Sequence, residues 1–299
     1  MDPAKSTVSL ETGLPTRPIR EQRYELGGGG NIAANLTTLG GRVFAFGVTG
    51  DDPWGRELAR QLDALGVSPA GLLVQPERWA TPVFVKPHEE GREQARFDTA
   101  DFNELSPETG RLLLARVEAA LPDLDLAIIN EQILDRLHAE WFRKGLCAMA
   151  DRWQGKFIVD SRYHANEYRD AFLRLNDREA VRLQEGGGRP DRPTRERVIA
   201  AAEALFAKAR QPVFVSRGPD GVVVRDASGL HEVPARKVDG PIDIVGAGDS
   251  LLAGISVALA RGRDPVVAAE LGILAASVTI RKLRQCGTAS PAEVLALLG

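Results

Sequence analysis

Residues 241–250 read PIDIVGAGDS, placing Gly246, Ala247 and Gly248 between two acids, Asp243 and Asp249, just ahead of the apolar run LLAGISVALA. A second glycine-rich stretch, GGGGN, occupies 27–31. Both precede helix-like sequence. The first N–H groups of a helix lack partners and carry partial positive charge, so such a start can hold an anion. Glycine and alanine at its mouth let a ligand come close to the main chain. Each stretch alone is equally consistent with a tight strand-to-helix connection. Neither fits the common phosphate templates. No G-x-x-x-x-G-K-[ST] occurs, since the one Gly-Lys pair, Gly155-Lys156, is followed by Phe157, and G-x-G-x-x-G fails at both turns. A third template, GDSL at 248–251, matches the nucleophile block of a lipase and esterase family and would make Ser250 the nucleophile. That chemistry needs a histidine base, which in that family lies near the C-terminus. Here His88, His138, His164 and His231 all lie upstream, so hydrolysis is the weaker reading.

The elements that would position these residues can be read from periodicity. NIAANLTTLG predicts a helix capped by Asn31 and stopped by Gly40, followed by a buried strand in RVFAFGVTG. PWGRELARQLDALGV is amphipathic, with Leu58, Leu62 and Leu65 on one face. Residues 79–100 read as a β-hairpin with one solvated face. Helices then precede the strands LDLAIIN and KFIVD, another helix is predicted over about 166–174, and one near 194–209 leads into PVFVSRG. Strand and helix alternate from 31 to 210, which argues for an α/β fold, a mostly parallel sheet with helices on both faces. Hairpins at 221–235 interrupt the alternation, and the last ~50 residues read as helical. EGGGRPDRP at 185–193 is rich in glycine but opens no apolar helix, so it reads as a surface insertion.

Composition bounds the function. The 299 residues carry 38 Lys and Arg against 41 Asp and Glu, a net charge of −3 without a long basic block, which argues against nucleic acid as a ligand. IRKLR at 280–284 reads as a solvated helix face. Cys147 and Cys286 read as buried thiols of a reducing cytosol rather than a disulfide. No apolar stretch approaches the ~18 residues of a membrane span, and MDPAKSTVSLETG lacks the apolar core of a signal peptide, so a cytoplasmic protein with no membrane partner is expected.

Taken in order, the two glycine stretches, NDRE at 176–179 and VSRGPDG at 215–221 resemble the ribokinase-like (PfkB) carbohydrate kinases from about residue 9 to 299. SLETGLPTRPIREQRYELGGGGNIAANL and IRKLRQCGTASPAEV look most like heptose-7-phosphate kinases within that family. The resemblance implies one ribokinase-like domain over 1–299, with a small β-lid from segments at about 7–26 and 79–100. It implies a sugar site at Gly27, Gly28 and Asn31, and a nucleotide site at Ser216, Gly218, Gly221 and Asn176. It also implies a metal-organising role for Glu179 and Asp243, and an anion hole of the amides of Gly246, Ala247 and Gly248 with Asp249 as the base. Ile244 stands in the usual Thr or Val place of that signature. ATP and Mg²⁺ are the implied cofactors, with room for a monovalent cation, and a sugar or sugar phosphate is the acceptor. Two copies could pair through the lid. Phosphoryl transfer fits these residue types, since it needs an oriented hydroxyl, charge neutralisation and a metal. Asp249 would take the hydroxyl proton, and Glu179 would act on Mg²⁺ through water.

The sequence also departs from the pattern. Family members begin with a strand ending in Gly-Asp, followed by a sugar-gripping aspartate, and nothing in MDPAKSTVSLETG can serve as that strand, so a strand-like segment is expected upstream of Met1. NEQILD at 130–135 stands where heptose kinases carry Asp-Tyr-x-Lys-Gly, and DSRYH at 160–164 stands in place of Asp-Pro-Lys, leaving Arg162 as the cation there. An intact Asp249 favours an enzyme, whereas the missing strand favours a non-catalytic nucleotide- or sugar-binding relative.

Overall fold

The computed structural model describes residues 1–133, 137–188 and 190–298. The chain enters regular structure at α1 (Gly27–Thr38), β1 (Phe44–Thr49), α2 (Pro53–Ala64) and β2 (Ser68–Val74). Four two-residue strands follow: β3 (Phe84–Val85), β4 (His88–Glu89), β5 (Arg92–Glu93) and β6 (Phe97–Asp98). Then come α3 (Pro107–Ala120), β7 (Ala127–Glu131), α4 (Glu140–Arg152), β8 (Phe157–Ser161), β9 (Phe172–Asn176), α5 (Asp177–Glu185) and α6 (Arg195–Ala209). The chain closes with β10 (Val213–Ser216), β11 (Val222–Asp226), β12 (Gly229–Val233), α7 (Ala247–Ala260), α8 (Pro265–Thr279) and α9 (Pro291–Leu295). Helix starts follow capping chemistry: the side chains of Asp52, Ser106, Thr194 and Asp264 each accept from an amide of the first turn.

The main sheet runs β12-β11-β10-β9-β8-β7, parallel from β7 to β10 and antiparallel at the β11–β12 hairpin. Side chains alternate across it, as a two-residue period requires. Phe157, Val159, Leu173 and Leu175 pack one way with Leu113, Phe142, Met149, Val181, Val198 and Leu205. Ile158, Phe214 and Val224 pack the other way with Ile32 of α1 and Leu252, Ile255 and Ala269 of α7 and α8.

Two expectations fail locally. No helix forms over 166–174; a single 3-10 turn at Ala165–Glu167 is followed by β9. Pairing on both sides, to β8 and β10, outweighs the local helix preference of that stretch. The hairpin expected over 79–100 forms, with the β4–β5 ladder nested inside β3–β6, whereas the segment 7–26 forms only one isolated bridge, Val8 to Pro15. Their residues are mostly exposed, so little burial supports longer strands. Glycines 186–188 are exposed, as a surface insertion requires. Of NEQILD, Leu134 and Asp135 lie outside the described residues.

The sheet is divided. β1 and β2 pair with each other, in parallel, and with nothing else. Thus β1 has one unpaired edge, and so does β7, and every residue of β1 and of β7 borders the same cavity. Phe46 and Ile128, apolar residues in mid-strand, are only half-buried. α1 bridges the two sheets. Its Ile32 packs on the six-stranded side, and its Ala33 packs with Leu62, Val67 and Leu72 of the other.

Candidate active site

The floor of that cavity lies at the carboxyl ends of the parallel strands, where β8 ends near Asp160, β9 at Asn176 and β10 at Ser216. Open α/β sheets bind ligands at this edge. Helix α7 starts there. Its N-cap, Gly246, has φ +78°, a left-handed conformation that favours glycine, and no side chain caps the helix. Ala247 N–H donates to Ile244 O and Ser250 N–H to Gly246 O. Between them, the amides of Gly248 and Asp249 have no acceptor among the described residues. These orphan donors are what a terminal phosphate needs, so the residues present fit ATP.

Asp249 sits in the first turn of α7 and is half-buried, and desolvation holds its carboxyl above the ordinary aspartate range despite nearby hydrogen bonds and arginines. Asn31 Nδ2 donates to one carboxylate oxygen at 3.3 Å, and Gln132 Nε2 donates to the other at 3.4 Å. Asn31, which the sequence resemblance placed on the sugar and the helix reading placed at a cap, thus contacts Asp249. α1 begins at Gly27, four residues earlier than the sequence suggests, so Asn31 lies in the second turn and caps nothing. Gly27 has φ +70°. Gly28 lies directly against the end of the Gln132 side chain, where a Cβ would require that side chain to shift. Sequence reasoning missed Gln132; the glycine opposite it was the available signal.

Asn176 and Glu179 form a reciprocal capping box on α5: Asn176 Oδ1 accepts from Glu179 N–H at 2.9 Å, and Glu179 Oε2 accepts from Asn176 N–H at 3.0 Å. The other oxygen of Glu179 lies 3.8 Å from Arg162 Nε, on the cavity side. Asp243 also borders the cavity, yet both its oxygens are taken by main chain, Val245 N–H at 3.1 Å and Arg284 N–H at 2.9 Å. These two contacts tie the loop into α7 to the segment that follows α8. Among the described residues no group of three or more His, Cys, Asp or Glu is gathered for a metal ion. A Mg²⁺ here would have to rest on one or two carboxylates plus phosphates, as that ion commonly does. Ser216 Oγ donates to Leu175 O at 3.3 Å; Gly218 has φ +57° and Gly221 φ +91°. At Gly221 a Cβ would also collide with Val233 O, so the fold itself demands glycine there.

Behind the α7 mouth, Arg174 and Asp160 form a buried pair, Nη1 to Oδ2 at 3.3 Å. Burial pushes Asp160 up to about 6 even beside the guanidinium. Neither residue was singled out as chemical from sequence, although an arginine breaking the apolar FLRLN strand was a visible signal. Ser250, the alternative nucleophile, is fully buried and its Oγ donates to Gly246 O at 3.1 Å, so it has no exposed hydroxyl to attack an ester. Cys147 and Cys286 are free, half-buried thiols, each pushed up to about 12 chiefly by burial. Among the described residues no helix is long and apolar enough to cross a membrane.

Residues 7–292 match the model of the pfkB family carbohydrate kinases. The Bifunctional protein HldE of Caulobacter sp. (strain K31) is 30% identical over 286 residues, covering 94% of this chain but 56% of the relative, so this chain spans little more than half of that protein's length. Among solved structures, ribokinase from Thermotoga maritima aligns with a TM-score of 0.73 at 21% identity, over 95% of this chain and 91% of that one. Phosphofructokinase-2 from Escherichia coli in complex with potassium aligns with a TM-score of 0.71 at 21% identity, over 95% and 89%. The fold is therefore ribokinase-like, as the sequence resemblance implied.

Proposed function

The chain belongs to the pfkB family of carbohydrate kinases, and from that premise we propose that it moves a phosphoryl group from ATP to a hydroxyl of a sugar or sugar phosphate, a heptose 7-phosphate being the favoured acceptor. The observation that carries the reading is the half-buried Asp249 next to two unsatisfied amides at the uncapped start of α7. ATP supplies the phosphoryl group when bound. The free amides of Gly248 and Asp249 would neutralise charge on it, Asn31 and Gln132 hold the Asp249 carboxylate in place, and Asp249 Oδ takes the hydroxyl proton. Asn31, Gly27 and Gly28 form the acceptor side, while Ser216, Gly218, Gly221 and Asn176 form the nucleotide side. Glu179 keeps one oxygen toward the cavity for a magnesium-bound water, a contact that contributes charge rather than packing. Asp243 shapes the loop beside any metal, and the potassium named with phosphofructokinase-2 makes a monovalent cation part of the reading. Exposed Leu10, Phe84, Val85 and Phe97 on the lid segments suit a second copy of the chain.

ADP release measured over a panel of sugars, sugar phosphates and adenosine tests this. Turnover on sugar phosphates is expected. Turnover confined to adenosine would sink the acceptor assignment, and ATP binding without ADP release from any acceptor would favour the non-catalytic alternative.

The domain is also proposed to lack one strand. The cavity bordered by β1 and β7 holds about 3400 Å³, several times the roughly 300–1,000 Å³ of an ordinary ligand site. Two open, apolar strand edges on one cavity fit a single extended segment laid between them, with main-chain bonds to both. Leu113 and Phe142 from one helical layer and Ile32 and Leu251 from the other border the cavity, so the segment would be apolar on both faces.

A further inference from the structure

We propose that Arg174 is a phosphate-binding residue whose guanidinium, seated against the first turn of α7, donates to the terminal phosphates of the nucleotide. The inference rests on the kinase reading and adds a contact to it. The Arg174 side chain is 9% exposed and borders the cavity. A Cβ on Gly248 would lie 2.9 Å from Nη2 and 3.4 Å from Nη1, so the guanidinium lies directly against the α7 mouth, beside the glycine. The free amides of Gly248 and Asp249 are therefore close to it.

The hydrogen bonding of Arg174 is incomplete. An arginine offers five N–H donors in a planar fork. Here Nη1 reaches Asp160 at 3.3 Å, Nη2 reaches Ser216 Oγ at 3.3 Å, and Nε has no partner among the described residues. A structural arginine–carboxylate pair is ordinarily bidentate, at roughly 2.7–2.9 Å. This one is single and long, and buried donors left unused are costly. The fork matches phosphate oxygens in the way it matches carboxylates. Asp160 and Ser216 hold the guanidinium from behind and the side, and its remaining donors and the α7 amides are left to meet one anion.

Calorimetric binding of pyrophosphate, ATP and AMP tests the assignment on wild type, Arg174→Lys, Arg174→Met and the double variant Asp160→Asn/Arg174→Met. The double variant guards against misfolding, since removing the arginine alone leaves Asp160 buried without its partner. Loss of the guanidinium is expected to weaken ATP and pyrophosphate by about 10- to 100-fold and to leave AMP within about two-fold. Lysine keeps the charge without the fork and should fall between. Equal losses for AMP and ATP, or wild-type pyrophosphate affinity in the double variant, would show that Arg174 only neutralises Asp160 and overturn the proposal, as would a wild-type protein that binds neither pyrophosphate nor ATP. Arg174-dependent pyrophosphate binding with no ADP release from any acceptor would leave this inference standing and remove the kinase reading.

Discussion

At the residue scale, the burial that holds the Asp249 carboxyl above its usual range gives two linked expectations. Asp249→Asn keeps the size of the side chain but cannot take a proton, so turnover should fall by roughly 10²–10⁴-fold while ATP affinity changes little. The sign of the stability effect is opposite. A folded-state value raised above the unfolded one means that native Asp249 loses stability as pH rises through it. The asparagine variant escapes that loss and should melt above wild type at neutral pH, the difference closing as the pH falls toward the unfolded value. Melting curves over pH alongside ADP release check both, and a near-normal rate in the variant would remove Asp249 as base. The wild-type rate should fall on the acid side at a higher pH than an ordinary aspartate gives. Asp249, Gly246 and Asn31 were legible because an acid and a glycine at a helix mouth are short-range signals. Gln132, Asp160 and Arg174 were not, because their meaning lies in what the fold brings to them: Gln132 meets Asp249 across 117 positions of sequence.

At the element scale, α7 can aim its first turn at the site only because α8 fixes it from behind. A Cβ on Gly254 would stand 2.7 Å from Gly272 Cα, so these helices touch backbone to backbone. Gly254→Val is expected to cost about 1–3 kcal/mol by overpacking, visible as a Tm lower by a few degrees; an unchanged Tm would mean that the contact bears no strain. Most elements could be read from apolar periodicity, including the β11–β12 hairpin and α6. The exceptions were those where tertiary pairing overrode local preference. β9 became a strand because both neighbours offered an edge, and α1 begins in four glycines, a residue that costs a helix interior roughly 1 kcal/mol, of which Gly28 lies against Gln132 and Gly30 against Leu26.

At the scale of the whole molecule, the divided sheet, with open edges on β1 and β7, is where the proposed additional strand would lie. Fusing an apolar six-residue strand ahead of Met1 through a flexible linker should raise Tm and slow amide hydrogen exchange in β1 and β7. A control fusion carrying prolines should do neither, because proline cannot complete a ladder. Unchanged exchange in both strands would remove the proposed occupant. The Asn31–Asp249 contact spans 218 positions, and this has a consequence for the time at which the protein becomes competent. During synthesis at about 5–20 residues per second, Asp249 leaves the ribosome roughly 10–40 s after Asn31. Throughout that interval the glycine-rich start of α1 waits without the helix it packs on. A nascent chain released before α7 emerges therefore lacks both the Asn31–Asp249 contact and the helix on which α1 packs.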